Sequence, residues 1–271
     1  MRTIAHLSDL HFGRIEEAVL DPLVAAVAAV SPDVVVVSGD LTQRARTQEF
    51  VQARAFLARL PLPQVVVPGN HDVPLYNVFA RLLRPLQKYV RHIEPDLSPS
   101  FVDREIAVLG VNTARALVIK NGRINQAQVD ILRDRMSRLG GEVVKVVVTH
   151  HPFDVTPEVD RDERVGRADM AMQMFAQCGV DVLLAGHLHS GRTLVTGDRR
   201  AVSGYGALAV SAGTATSERR RGDANSFNVL RLQKHRIEVE RFDWREEKQQ
   251  FLPAAHEAYQ RDREGWKPAP P

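Results

Sequence analysis

The chain has 271 residues, which is enough for one large α/β domain with a substantial buried core. Its composition, 44% hydrophobic and 25% charged, excludes disordered and fibrous proteins. The formal net charge of +3 permits an anionic substrate without requiring nucleic acid, and we interpret the basic cluster at residues 219–221 as a solvated loop.

Short runs of β-branched residues alternate with helical patterns along the first two thirds of the chain. In chain order, the sequence predicts a strand at residues 4–7, a helix at 16–30, a strand at 34–37, a helix at 47–60 and strands at 65–67 and 106–111. It then predicts a helix at 126–139, a strand at 143–148, a helix at 168–177 and a strand at 180–184. This alternation predicts a largely parallel or mixed sheet that is covered by helices.

The final third of the chain changes character. Alternating runs at residues 193–195, 207–211, 227–232 and 237–242 predict antiparallel strands of a second sheet. We expect residues 1–243 to form one domain and residues 244–271 to form a C-terminal extension, with a helix near 253–264 and a disordered end.

Two segments interrupt this pattern. Residues 74–99 are predicted to be helical and carry Arg81, Arg84 and Arg91, whereas residues 153–166 form a polar loop. Both segments directly follow the polar strings described next, so we expect both to cover the same site.

Five polar strings stand at the ends of predicted strands. They are Asp9-Leu10-His11, Gly39-Asp40, Gly69-Asn70-His71-Asp72, His150-His151 and Gly186-His187-Leu188-His189. Because the carboxyl ends of strands in an open α/β sheet meet at one crevice, these side chains are expected to converge. Each string alone has an ordinary explanation, such as a surface loop, a helix cap or a hydrogen-bonded histidine at a strand end. The five together, in this context, indicate a site.

The chemistry of this donor set indicates metal ions. It offers carboxylate, amide and imidazole groups without a thiolate, which suits manganese, iron or zinc and argues against a cysteine-based structural zinc site. The donors suffice for two divalent ions, which a carboxylate can bridge with its two oxygens. Two ions about 3.5–4 Å apart can hold the attacking and leaving oxygens of a phosphoryl displacement.

The series D-x-H, G-D, G-N-H-D, H and G-H-x-H, in this order, resembles the calcineurin-like metallophosphoesterases. The most similar branch is the class III cyclic nucleotide phosphodiesterases. The resemblance implies an α/β fold, a four-layer αββα sandwich of two mixed sheets flanked by helices, with a dimetal site at the carboxyl ends of the strands.

The resemblance also implies roles for individual residues. Three groups of metal ligands follow from it: Asp9, His11 and His189 for the first ion, Asn70, His150 and His187 for the second, and Asp40 as the bridge. His71 would protonate or stabilise the leaving oxygen, and Asp72 would orient His71. His151 is not expected to be a ligand.

One feature departs from the family pattern. Many relatives carry an acidic residue a few positions after the bridging aspartate, where this chain has Arg44. Arg44 is therefore a candidate substrate contact, with a solvated arginine as the alternative. Asn112, which follows a predicted strand, is a second candidate.

The implied function is hydrolysis of a phosphodiester by a metal-bridging hydroxide, with 3′,5′-cyclic AMP as one candidate substrate. The alternatives are a pyrophosphatase acting on a nucleotide-linked lipid or sugar, a nuclease, and a non-catalytic scaffold, which the complete ligand set disfavours. The expected partner is a small phosphodiester or nucleotide, with a homodimer left open. Cys178 is the single cysteine, and we expect a cytoplasmic protein without a signal peptide or transmembrane segment.

Overall fold

The computed structural model describes residues 1–118, 120–156, 158–196, 205–218, 223–262 and 265–270. The basic cluster at residues 219–221 lies outside the described residues. Within the described ranges, no helix combines the length and the apolar character that crossing a membrane requires.

The first sheet has seven strands and combines parallel with antiparallel pairing. Its parallel part contains β1 (Arg2–Leu7), β2 (Val34–Val37) and β3 (Gln64–Val66), which are connected through helices α1 (Leu20–Ala29) and α2 (Thr47–Leu57). Beyond β1 the sheet continues with the antiparallel strands β10 (Ser226–Gln233), β11 (Arg236–Arg245), β12 (Gln250–Asp262) and β13 (Gly265–Ala269).

The second sheet has six strands. Its central strands β5 (Ile106–Gly110), β6 (Val144–Val148), β7 (Val182–Ala185) and β9 (Leu208–Ser211) are parallel, and β4 (Ser100–Val102) and β8 (Arg192–Val195) pair antiparallel at the two edges. Helices α3 (Val78–Leu83) and α4 (Gln87–His92) precede this sheet, and α5 (Gln126–Ser137) and α6 (Ala168–Cys178) connect its strands.

Burial on both faces explains the unbroken valine run of β2. Val36 packs with Val146 in a cluster between the two sheets, whereas Val35 packs with Leu23 of α1 on the outer face of the first sheet. A third cluster joins the outer face of the second sheet to α5 and α6. The layers are therefore helix, sheet, sheet and helix, which confirms the predicted αββα sandwich of two mixed sheets.

The assignment of the final third to one separate sheet is wrong. Strands β8 and β9 join the second sheet, but β10 pairs with β1 in the first sheet, with Ile4 opposite Leu230. The alternation of residues identifies these strands correctly, but it carries no information on which distant strand each one pairs with.

The helix predicted near residues 253–264 is also wrong. Residues up to Asp262 belong to strand β12, which pairs along its length with β11, and β13 adds a further strand. Alanine and glutamate are frequent in this segment and favour a helix locally. Pairing with the exposed edge of β11 and burial of Phe251 and Tyr259 outweigh that preference.

Candidate metal centre

The seven candidate metal ligands all follow parallel strands at their carboxyl ends. Because these ends meet where the two sheets face each other, the ligands converge in one crevice. Asp9 and His11 follow β1, Asp40 follows β2, Asn70 follows β3, His150 follows β6, and His187 and His189 follow β7.

Five of the seven residues have a left-handed backbone. The angle φ lies between 51° and 70° at Asp9, His11, Asp40, His187 and His189. Residues other than glycine rarely adopt this conformation, which costs about 1–3 kcal/mol each and is concentrated at functional sites. The left-handed turns after β1, β2 and β7 take these five side chains out of the alternation of their strands.

Two glycines allow the loops to approach each other closely. A Cβ atom on Gly69 would collide with Asp40 Oδ1, and one on Gly186 would collide with Ser8 Oγ and lie 2.6 Å from Asp9 Oδ2. Any larger residue at either position would displace a carboxylate of the site.

The first group of donors consists of Asp9, His11 and His189. Asp9 Oδ1 lies 3.3 Å from His189 Nε2 and 3.5 Å from His11 Nε2, and all three residues are buried. Within the described part of the chain, Asp9 Oδ1 and both ring nitrogens of His11 have no hydrogen-bond partner. Buried polar atoms without partners are rare, and two of these, Asp9 Oδ1 and His11 Nε2, lie 3.5 Å apart, so the group fits a metal ion.

Asp40 lies between this group and a second group. Its Oδ2 atom is 3.7 Å from His11 Nε2 and 3.3 Å from His150 Nε2, which is itself 3.1 Å from Asn70 Oδ1. Ligand atoms that each lie about 2 Å from one ion are separated by about 3 Å from each other. The spacing therefore fits two ions with Asp40 between them. His187 completes the second group, with its ring centroid 5.2 Å from that of His150.

The charges of the site are strongly coupled. Burial alone would raise the pKa of Asp40, but the neighbouring histidines, His150 foremost, hold it well below its usual range. Burial lowers the pKa of His150, but the carboxylates of Asp40 and Asp9 raise it to about 9. Without an ion, the carboxylates are thus compensated by a protonated imidazole, whose place a cation would take.

His71 is held from two sides. Its backbone N–H donates a 2.8 Å hydrogen bond to Asp40 Oδ1, and its Nδ1 atom lies 2.9 Å from the backbone carbonyl of Gln43. Because a carbonyl only accepts, Nδ1 carries the proton of this hydrogen bond. The ring meets that of His11 edge-on at 4.9 Å between centroids, so His71 lies beside the first donor group.

The Asp72 carboxylate, which is expected to orient the His71 imidazole, makes its hydrogen bonds to the neighbouring loops. The buried Asp72 carboxylate accepts hydrogen bonds from the backbone N–H groups of Leu41, Thr42 and Gly69 and from the Thr42 hydroxyl, at 2.9 to 3.2 Å. Burial and the charge of Asp40 raise the pKa of Asp72 to about 6. Asp72 thus joins the loops that carry Asp40 and Asn70, while the Gln43 carbonyl orients His71.

His151 makes two hydrogen bonds through its ring. Its Nδ1 atom lies 2.8 Å from Thr113 Oγ1 and its Nε2 atom lies 2.9 Å from the carbonyl oxygen of Lys120. Both ring nitrogens therefore have partners outside the donor groups, although His151 also lies close enough to His150 and His187 to form a further group of possible donors. Its ring packs 4.8 Å from that of His150 and 4.7 Å from that of His187, so it supports the second group.

Glu163 is a functional candidate that the sequence analysis missed. It ends a short 3₁₀ turn, Arg161–Glu163, within the polar loop that was expected to cover the site. Its Oε2 atom lies 3.2 Å from His187 Nε2, and its carboxylate also pairs with Lys120. A carboxylate that fixes a metal-binding histidine is a frequent feature of metal sites. The sequence indicates Glu163 only through its position in the polar loop 153–166, which follows one of the five polar strings.

The two candidate substrate contacts, Arg44 and Asn112, make their side-chain contacts with residues outside the donor groups. The Arg44 guanidinium lies over the Tyr76 ring, 5.6 Å from its centroid, and so contacts the helical covering segment. Asn112 accepts a hydrogen bond from the Ala114 backbone and borders a cavity beneath that segment.

Known proteins with similar sequences include two curated relatives. Glycerophosphodiester phosphodiesterase GpdQ of Enterobacter lignolyticus is 29% identical over 161 residues, covering 55% of this chain and 57% of that protein. The probable glycerophosphodiester phosphodiesterase GpdQ of Arcobacter nitrofigilis is 26% identical over 164 residues, covering 58% of this chain and 57% of that protein. The alignments thus span little more than half the length of these relatives.

Solved structures share the fold at low sequence identity. The purple acid phosphatase PPD1 from yellow lupin (Lupinus luteus) seeds has a TM-score of 0.71 at 12% identity, covering 94% of this chain and 53% of that one. A dimetal phosphatase from Danio rerio has a TM-score of 0.65 at 14% identity, covering 93% of this chain and 98% of that one.

The family comparison agrees with the geometry of the donor groups. The model of the calcineurin-like phosphoesterases matches residues 2–191, a range that contains all seven candidate ligands and His71. The chain therefore belongs to the calcineurin-like phosphoesterase family.

Proposed function

We propose that the chain is a metal-dependent phosphodiesterase. The observation that carries this proposal is the position of Asp40 Oδ2, within 3.7 Å of a histidine of the first donor group and 3.3 Å of a histidine of the second. A shared carboxylate between two sets of buried donors is the arrangement that a dimetal site requires. The family and the two curated relatives support the same class of reaction.

The residues of the site have distinct tasks in this proposal. Asp9, His11 and His189 would hold one divalent ion, Asn70, His150 and His187 would hold the other, and Asp40 would contribute to both sites. When bound, the ions supply Lewis acidity, positive charge at the phosphate and a water of lowered pKa. Manganese, iron and zinc all suit this set of oxygen and nitrogen donors.

His71 donates the proton that the leaving group needs. The Gln43 carbonyl fixes Nδ1 as the protonated nitrogen, which leaves Nε2 as the atom that exchanges a proton with the substrate. The hydrogen bond from the His71 backbone to Asp40 holds the ring at a constant position relative to the bridge. The same carboxylate therefore sets the positions of the metal ions and of the acid.

The charge of the loaded site favours diesters. Two divalent ions and the carboxylates of Asp9 and Asp40 give a net charge of about +2, which a deprotonated water lowers to about +1. This suits the single negative charge of a phosphodiester. The contacts of the described residues do not separate a glycerophosphodiester from a cyclic nucleotide, so cyclic AMP is one of the substrates to be compared.

The proposal is tested by a turnover screen after complete removal of metal. Protein that has been stripped with a chelator and reloaded with Mn²⁺, Fe²⁺ or Zn²⁺ is offered glycerophosphocholine, cyclic AMP, bis(4-nitrophenyl) phosphate and the monoester 4-nitrophenyl phosphate. We expect no turnover without metal, recovery with Mn²⁺, and faster hydrolysis of diesters than of the monoester. Full activity in metal-free protein, or a clear preference for the monoester, would contradict the proposal.

A pair of variants controls this screen. Asp40→Asn keeps a residue that tolerates the left-handed backbone but removes the bridging charge, so it is expected to bind less metal and to lose turnover. Asp134→Asn removes an exposed carboxylate of α5 and is expected to behave as the unsubstituted protein. The cytoplasmic location and the homodimer stay predictions.

A further inference from the structure

A large apolar cavity lies between the helical covering segment and the loop that follows β5. Its volume is about 910 Å³, within the range of about 300–1,000 Å³ that small-molecule sites occupy. Most of its wall is aliphatic. The aliphatic side chains of the wall include Leu82, Leu86, Val90, Leu97, Ala114 and Val118.

A buried arginine connects the two walls of the cavity. The guanidinium of Arg81 donates hydrogen bonds to the backbone carbonyls of Pro74, Ala116 and Val118, at 2.6 to 3.2 Å. These bonds tie α3 to the loop on the opposite wall. Arg81 is 7% exposed, so the clamp is an internal part of the fold and the cavity is a built feature.

The outer side of the same helix is apolar as well. Phe79 and Leu83 are 82% and 78% exposed, and Leu117 on the opposite wall is 84% exposed. Large exposed apolar side chains on both walls give the rim of the cavity an apolar character. The mouth of the cavity is thus suited to an apolar ligand that enters from outside.

Two connections place the cavity beside the metal centre. Asn112 and Ala114 border the cavity, and Thr113 between them contacts His151, whose ring packs on that of His150. Only two side chains therefore separate the cavity wall from a proposed ligand.

The second connection runs through a polar cleft of about 520 Å³ that shares Val118 and Arg123 with the cavity. Asp162 and Arg164 line the cleft, and Glu163 between them contacts His187. The cleft that borders the apolar space is thus lined by the sequence neighbours of a residue that contacts a proposed ligand.

The charges around the cavity fit an anion. Arg84, Arg115 and Arg123 are in its wall, and none of the described residues that line it is an aspartate or glutamate. Burial and the nearby charge of Arg123 lower the pKa of Arg115, so these two guanidinium groups are close without a carboxylate between them in the lining. An apolar space edged by arginines complements a molecule with an aliphatic chain and an anionic head.

We propose that the substrate is an amphiphilic phosphodiester whose aliphatic chain occupies this cavity while its phosphate lies at the metal centre. This inference rests on the proposed phosphodiesterase activity and specifies its substrate class. Arg84, Arg115 and Arg123 add positive charge at the edge of the cavity, which favours an anionic phosphodiester over a neutral amphiphile. The cavity restricts the expected substrates to diesters that carry an aliphatic chain on one side of the phosphate.

The test compares diesters that differ only in the chain. Glycerophosphocholine and its 1-hexanoyl, 1-octanoyl and 1-decanoyl derivatives share one phosphodiester, and all are used below their critical micelle concentrations with Mn²⁺-loaded protein. Each methylene that enters the cavity is expected to raise kcat/KM by up to about fourfold, mainly through a lower KM. The measured quantity is the ratio of kcat/KM for the decanoyl and the unacylated compound.

Filling the cavity should abolish the preference for the decanoyl compound, so that this ratio falls to about one. Val90, on α4, is in the cavity wall and 38% exposed, so Val90→Trp is expected to bring the ratio close to one. Val51→Trp on α2 is the matched control, because Val51 is a 50% exposed helical valine outside the cavity, and it should leave the ratio unchanged. Ala116→Phe fills the cavity from the opposite wall and replaces Val90→Trp if that variant does not fold.

The outcomes separate this inference from the proposed function. If no diester is hydrolysed, bis(4-nitrophenyl) phosphate included, the phosphodiesterase proposal fails. If diesters are hydrolysed but the decanoyl and unacylated compounds have similar kcat/KM values, only the substrate inference fails. The same holds if both cavity-filling variants keep the preference for the decanoyl compound. A dimer that Val90→Trp dissociates, together with a ratio near one, would show that a second copy of the chain covers the cavity and would also overturn the inference.

Discussion

Glu163 Oε2 lies 3.2 Å from Nε2 of His187, one of the proposed ligands of the second metal ion. Since Nε2 is engaged by this carboxylate, the other ring nitrogen, Nδ1, is the one left for coordination. The Lys120 ammonium pairs with the same carboxylate, so two loops that are distant in sequence together fix the orientation of one imidazole.

Removal of Glu163 is expected to weaken metal binding without removing a ligand. Loss of such a carboxylate typically costs 10–100-fold in metal affinity, so Glu163→Ala should need correspondingly more Mn²⁺ for half-maximal activity. Glu163→Gln keeps an acceptor for His187 and should lose less. Glu17→Gln is the control, because Glu17 is exposed and begins the short 3₁₀ helix that precedes α1. Unchanged affinity in Glu163→Ala would show that the carboxylate does not position His187.

The role of His71 is tested through the leaving group. His71→Ala should retain both metal ions, because the ring bonds to the Gln43 carbonyl and is not among the proposed ligands, and should lose about 10²–10⁴-fold in kcat. The loss should shrink for bis(4-nitrophenyl) phosphate, whose nitrophenolate departs without a proton. His235→Ala, at an exposed position, serves as the control. Loss of metal from His71→Ala would instead identify His71 as a ligand.

Metal binding should release a proton at neutral pH. The pKa of His150 is raised to about 9 in the metal-free protein, so the imidazole is protonated at pH 7.5 and must lose its proton to coordinate an ion. Affinity for Mn²⁺ should consequently rise with pH up to about 9. Calorimetric titrations at one pH in two buffers of different ionisation enthalpy should reveal about one proton released. Equal binding enthalpies in both buffers would contradict this expectation.

The same shift affects the stability of the metal-free protein. Because the folded pKa of His150 lies above the value of about 6.5 in an unfolded chain, the paired imidazolium stabilises the fold below pH 6.5. This contribution should be lost as the pH rises through about 9. Urea unfolding of chelated protein at pH 6 and pH 9 measures it.

Asp72 is expected to act on stability more than on proton transfer. Asp72→Ala leaves the buried N–H groups of Leu41, Thr42 and Gly69 without their acceptor, which should cost roughly 3 kcal/mol or more of unfolding free energy. Asp72→Asn retains one acceptor oxygen and should lose less. If Asp72→Asn folded with normal stability but showed the leaving-group dependence of His71→Ala, Asp72 would be acting through the imidazole after all.

The sequence contained enough information to predict the central strands and to identify the candidate metal-binding residues. The run Val34 to Val37 predicts a strand buried on both faces, and the polar residue that follows such a strand is placed at the crevice by the architecture alone. Strand β12 was predicted as a helix because alanine-rich segments favour helices locally, whereas its actual partner is a strand that only the folded chain brings alongside.

The hydrogen-bond partners of the catalytic candidates could not be predicted from the sequence, for a different reason. The group that orients His71 is the backbone carbonyl of Gln43, and every residue in the chain has such a carbonyl. Asp72 was the obvious side-chain candidate, but its carboxylate is engaged by Thr42 and its neighbours. Glu163 lies 24 residues before His187, in a loop whose conformation no local pattern predicts.

The left-handed backbone at Asp9, His11, Asp40, His187 and His189 has a consequence for attempts to transplant this site into another protein. A recipient scaffold with the same residues at the ends of ordinary strands would direct the side chains along the pleat, and the donors would not meet. The scaffold must instead provide left-handed residues in the loops that correspond to those after β1, β2 and β7, and its own stability must absorb about 1–3 kcal/mol for each such residue. Grafting would therefore have to begin with the loops, and the ligand side chains would come last.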